Sequence, residues 1–86
     1  MSVEVVLYSA PDCGLCIDAK RVLESQAPVL GYRLRTIDIS MDEELERLHR
    51  HEIPLVTIAG RRAFKYQVDP AELRRRVIAA ESQSTA

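Results

Sequence analysis

The sequence has no tryptophan, one phenylalanine and three tyrosines, so its core must come mostly from Val, Leu, Ile and Ala. Only two cysteines occur in 86 residues. A secreted scaffold stapled by disulfides would carry more of them, spread along the chain. No apolar run approaches the roughly 18 residues of a membrane span. The opening Met1-Ser2-Val3-Glu4 lacks the basic and apolar regions of a signal peptide. Neither sign of charge prevails: 12 basic against 13 acidic side chains leave a net charge of -1, which does not suggest a surface for polyanions. Internal repeats, linkers and low-complexity stretches are missing as well. The expectation is one cytoplasmic domain over residues 1–80 with a flexible tail over 81–86. It needs no nucleic acid and no membrane, and nothing demands more than a monomer.

What is present is an ordinary globular balance, 47% hydrophobic and 29% charged. A domain of this size hides roughly 60% of its unfolded surface, so it can fold without a staple or a metal. The two cysteines are therefore free for chemistry.

Val3 to Tyr8 is a nearly continuous β-branched and apolar run, as in a strand buried on both faces. After Ser9-Ala10-Pro11-Asp12, Leu15, Ala19, Val22 and Leu23 recur at helical spacing, and Pro28 followed by Gly31 is expected to end that helix. Tyr32 to Ile39 alternates as a half-exposed strand, with Arg33 and Arg35 on one face and Leu34 and Thr36 on the other. Ser40-Met41-Asp42-Glu43 reads as a capping box opening a helix that buries Met41, Leu45 and Leu48. Leu55–Ala59 and Ala63–Tyr66 read as strands joined through a Gly60-Arg61 turn. Asp69-Pro70-Ala71-Glu72 is a second box, opening a helix with Leu73, Val77 and Ala80 inward. The order β-α-β-α-β-β-α implies an α/β fold. A right-handed parallel crossover and a closing hairpin give a four-stranded mixed sheet flanked by helices.

Cys13-Gly14-Leu15-Cys16 falls where the first strand hands over to the first helix. A helix N-terminus offers unpaired N–H groups and about half a positive charge, which favours thiolate over thiol. Cys13, coming first, is expected to be the more exposed sulfur with the lowered pKa. Cys16 shares a face with Ala19 and Leu23 and turns inward. An i, i+3 pair here suits exchange: Cys13 attacks, a mixed disulfide forms, Cys16 resolves it. Zinc would need two further ligands, and the spacing of His49 and His51 does not fit, so no metal site is assigned and both are read as surface residues. Ile53-Pro54 opens the third strand, which should lie beside the first. Pro54 would then sit against the sulfurs, with the Ile53 backbone open to an incoming chain.

Together the buried strand ending Leu7-Tyr8-Ser9, the Cys13-Gly14-Leu15-Cys16 motif, the Ile53-Pro54 element and the closing helix resemble a glutaredoxin-like protein of the thioredoxin superfamily. The resemblance spans about Val3 to Ala80. It implies a thioredoxin-like fold with the first and third strands central. It also implies Cys13 as nucleophile, Cys16 as resolving cysteine, and a cis Pro54 that contacts substrate together with Ile53. The implied activity is that of a dithiol oxidoreductase in redox homeostasis. Its substrates would be protein or small-molecule disulfides, with an unidentified thiol as electron donor and no bound cofactor. Glutathione stays open as a co-substrate, although Ala10 stands where glutathione users have Lys, the motif interior is Gly14-Leu15, and residues 64–69 contain no glycine. The competing reading is a non-catalytic thioredoxin-fold adaptor or a metal- or Fe–S-binding module. Asp12, beside Cys13, either caps the helix or opposes the thiolate by like charge. Arg61, Arg62, Lys65 and Arg74-Arg75-Arg76 are read as solvated faces.

Overall fold

A computed structural model describes residues 3–84 of the chain. Val5, Val6 and Leu7 are buried one after another, as a continuous apolar run in a central strand requires. They belong to β1 (Glu4–Ser9), which leads to α1 (Gly14–Leu30), β2 (Arg33–Asp38) and a 3₁₀ turn over Ile39–Met41. Then come α2 (Glu43–His49), β3 (Leu55–Ile58), β4 (Arg61–Lys65) and α3 (Pro70–Ser84). The sheet order is β2-β1-β3-β4, with β1 parallel to β2 and antiparallel to β3, and β3 antiparallel to β4. This is the expected mixed sheet with the first and third strands in the middle.

Side chains alternate across it. Val5 and Leu7, with Val56 and Ile58, face α1 and α3 and form one core with Ala19, Leu23, Leu73 and Val77. Tyr32 closes that core where α1 ends; its hydroxyl donates to the Leu23 carbonyl, and burial pushes its pKa up to about 12. Val6, Tyr8 and Leu55 point the other way, where the Tyr8 ring meets His49 of α2.

Several local expectations are corrected. Pro28 lies inside α1, not at its end: in the last turn its missing N–H forfeits one bond, and the helix runs on to Gly31. Gly31, at φ 78, ends it by donating its N–H to the Ala27 carbonyl. Leu15 is not in the apolar stripe but 45% exposed; the buried stripe is Cys16, Ala19 and Leu23. Ser40 does not cap α2, because Asp38 caps the 3₁₀ turn that contains it, and Asp42 accepts the N–H bonds of Glu44 and Leu45. That two-residue shift rotates the helix, leaving Met41 83% and Leu48 56% exposed. The hairpin turn is Ala59-Gly60, both at positive φ (52 and 82), so Arg61 and Arg62 belong to β4. Asp69 accepts the Glu72 N–H at 3.1 Å as the second box requires, but the Glu72 carboxylate holds Arg75 and Arg76 instead of reaching back. With no Gly or Pro to stop it, α3 continues through Ser84, so residues 81–84 of the expected tail are helix; 85–86 lie outside the described residues.

Candidate active site

β1 ends at Ser9, and the chain reverses through Asp12, held at φ 62, a conformation Asp tolerates better than most residues. The reversal makes Cys13, not Asp12, the N-cap of α1, with extended φ -114 and ψ 103. Its Sγ accepts the Cys16 N–H at 3.2 Å, and its carbonyl accepts the Ile17 N–H. Cys13 is half-buried, whereas Cys16 is 4% exposed, packed in line with Ala19 and Leu23. The two Cα atoms are 5.2 Å apart and the sulfurs are paired as a disulfide. No acidic side chain occupies the first turn of α1. The N–H groups and dipole of a 17-residue helix therefore act on Cys13 unopposed from within the helix.

The second element comes from β3. The Ile53–Pro54 peptide is cis and the Pro54 side chain is fully buried. Its carbonyl accepts the Tyr66 N–H at 2.8 Å. Tyr8 pairs with Leu55 across the β1–β3 ladder. One step further along, Pro54 stands opposite Ser9, the residue from which the chain turns toward Cys13. Register thus brings the cysteine motif and Ile53-Pro54 to the same end of the sheet.

The segment leading to Pro54 is tied by side chains that sequence reasoning did not single out for a role. Arg62 makes a two-pronged bond to Glu52 at 3.0 and 3.1 Å, and His49 Nδ1 donates to the same carboxylate at 3.0 Å. The Arg62 guanidinium foremost, and His49 next, pull the Glu52 carboxyl down to about 2. The Tyr8 ring lies 5.1 Å from His49, and the Tyr66 hydroxyl donates to the His51 carbonyl. His49 is therefore half-buried and engaged, not a free surface residue. Nothing in the local sequence could reveal the Glu52–Arg62 pair, which depends on β3–β4 pairing. Among the described residues, no group of three or more His, Cys, Asp or Glu could hold a metal ion. No helix among them is long and apolar enough to cross a membrane.

A parallel β-α-β unit joined to a β-β-α unit, with Cys-x-x-Cys opening the first helix and a cis-proline opening the third strand, defines a thioredoxin-fold protein of redox type. Within that class, residues 4–78 match the glutaredoxin-like domain (DUF836), and the chain belongs to this family. Among solved structures it is similar to structural-genomics target XcR50 from X. campestris, with 27% identity and a TM-score of 0.71 over 87% of this chain and 96% of that one. It is similar to protein Ne2328 from Nitrosomonas europaea, with 23% identity and a TM-score of 0.70 over 94% of this chain and 92% of that one. It also resembles chloroplastic thioredoxin z, with 24% identity and a TM-score of 0.75 over 94% of this chain and 80% of that one. The last two speak to the fold alone. No curated protein matches the chain.

Proposed function

We propose that the chain is a dithiol thiol–disulfide oxidoreductase, with Cys13 as nucleophile and Cys16 as resolving cysteine. The observation that carries this reading is the placement of Cys13 as N-cap of α1, its sulfur accepting the Cys16 N–H and paired with the Cys16 sulfur. The Cys13 thiolate attacks one sulfur of a substrate disulfide. A Cys13–substrate bond forms, the substrate S–S bond breaks, and the departing thiolate takes a proton from water. The Cys16 thiolate then attacks Cys13 Sγ and releases the second substrate thiol. Two electrons have passed to the substrate, and an external thiol returns them. Ile53 and Pro54 serve as the docking edge for the substrate backbone. Membership of a glutaredoxin-like family supports the redox reading.

Equilibration in graded glutathione buffers, read by thiol alkylation and intact mass, tests it. The expected result is a reversible two-electron transition in the band of roughly −200 to −270 mV. Cys13→Ser should abolish exchange, and Cys16→Ser should trap mixed disulfides. Full turnover in both single variants would overturn the mechanism. Failure to form the intramolecular disulfide, with metal in the purified protein, would put the metal-binding module in its place.

A further inference from the structure

A groove of about 210 Å³ opens beside the cysteine motif, between Leu15 to Val22 of α1 and residues 66–68. Its walls are Leu15, Val22, Tyr66 and Val68, with Gln67 at the rim and Asp18 the one charged side chain among them. Leu15, which lies between the two cysteines in the chain, is 45% exposed and Tyr66 is 43% exposed, so an apolar surface stands open beside the cysteine motif. Asp18 makes no ion pair among the described residues, and neither does Asp12, which adjoins Cys13. The Lys65 ammonium is drawn over the Tyr66 ring at 5.3 Å, and Asp69 spends its carboxylate capping α3.

We infer, resting on the exchange reading above, that the preferred substrate is a polypeptide cystine flanked by an apolar and a basic side chain, and that glutathione disulfide is disfavoured. The apolar side chain enters between Leu15 and Val68, and the basic one meets Asp18. Free carboxylates beside an apolar wall stabilise an approaching cation and repel an anion, and the effect is strongest at low salt. Glutathione disulfide is anionic and offers the groove no apolar side chain.

The test is a single turnover in which the pre-reduced full-length chain is the sole reductant. Three oxidants are compared by acid quench, alkylation and intact mass: a peptide disulfide flanked by Leu and Lys, the same peptide with Glu for Lys, and glutathione disulfide. The Lys peptide is expected to react about fivefold or more faster than the Glu peptide at low salt, the scale of one exposed charge attraction set against one repulsion. High salt should narrow the ratio. Asp18→Asn should slow the Lys peptide and speed the Glu peptide, opposite changes that a general folding defect cannot produce. Equal rates for the two peptides, or faster reaction with glutathione disulfide, would overturn the inference and leave the exchange reading standing. Reduction of none of the three would overturn both.

Discussion

On one face of the sheet, Val5, Leu7, Val56 and Ile58 meet Ala19 and Leu23 of α1 and Leu73 and Val77 of α3, and every one of them is buried. On the other face stand Val6, Tyr8 and Leu55, and the Tyr8 ring lies against His49 of α2, a helix with no buried residue of its own. That side adds polar ties to its buried Val6, Leu55 and Ile39: Glu52 to Arg62 and His49, and Tyr66 to the His51 carbonyl. The site straddles the two. Cys13 and Cys16 ride on the helix locked by apolar packing, and the approach to Ile53-Pro54 hangs from hydrogen bonds and charges. Apolar burial is almost indifferent to salt and pH, whereas charge pairs near the surface respond to both. The half that carries the cysteines is therefore fixed, and the half proposed to dock substrate is tunable.

The largest test sets the two faces against each other. Leu23→Ala empties a fully buried site under α1 and should cost about 3 kcal/mol or more in denaturant unfolding. Leu48→Ala, on the exposed side of α2, should stay within about 0.5 kcal/mol. Similar losses would break the distinction. Next in size is Tyr32→Phe, which removes the hydroxyl bonded to the Leu23 carbonyl and should cost about 1 kcal/mol near neutral pH. Burial raises the Tyr32 pKa from 10 to about 12 in the folded chain. Its contribution is thus complete below pH 10 and is lost as pH rises toward 12, because the unfolded chain ionises first. The Phe variant should lack that alkaline decline.

The contrast between the faces also marks what the sequence could reveal. The packed face was legible: the run Val3 to Tyr8, the spacing of Cys16, Ala19 and Leu23, and Leu73 with Val77 each state their burial locally. So was the place where the cysteines fall, because a strand run meets a helix pattern there. The α2 face was not. Ser40 and Asp42 can both cap, and choosing between them rotates Met41 and Leu48 from inside to outside. The turn slipped by one residue because Ala59 accepts positive φ, which sequence preference assigns to Gly, Asn or Asp. Glu52–Arg62 joins residues that only the strand register brings together.

A smaller effect belongs to the polar face. The Glu52 carboxyl is lowered from 4.5 to about 2, chiefly by Arg62 and then by His49. What this pairing contributes is present above pH 4.5 and lost as pH falls toward 2. Glu52→Gln should remove that acid limb. It should also speed amide hydrogen exchange across residues 49–54 while leaving the α1 and α3 amides nearly as protected as before. Faster exchange throughout would mean that the two faces open as one unit.

The smallest expected effect falls on the sulfur itself. Asp12 is not the cap of α1, so its carboxylate is left beside Cys13 without a helical N–H to hold. A negative charge there opposes the thiolate that the helix N-terminus favours. Asn accepts a positive φ at least as readily as Asp, so Asp12→Asn keeps the turn and removes only the charge. The Cys13 thiolate should then form at lower pH in an ultraviolet absorbance titration, with denaturation unchanged. An unmoved or higher midpoint would mean that solvent screens Asp12 from the sulfur. In that case the packed half of the site would set the reactivity of Cys13 through helix geometry alone, and charge would act only on what docks against it.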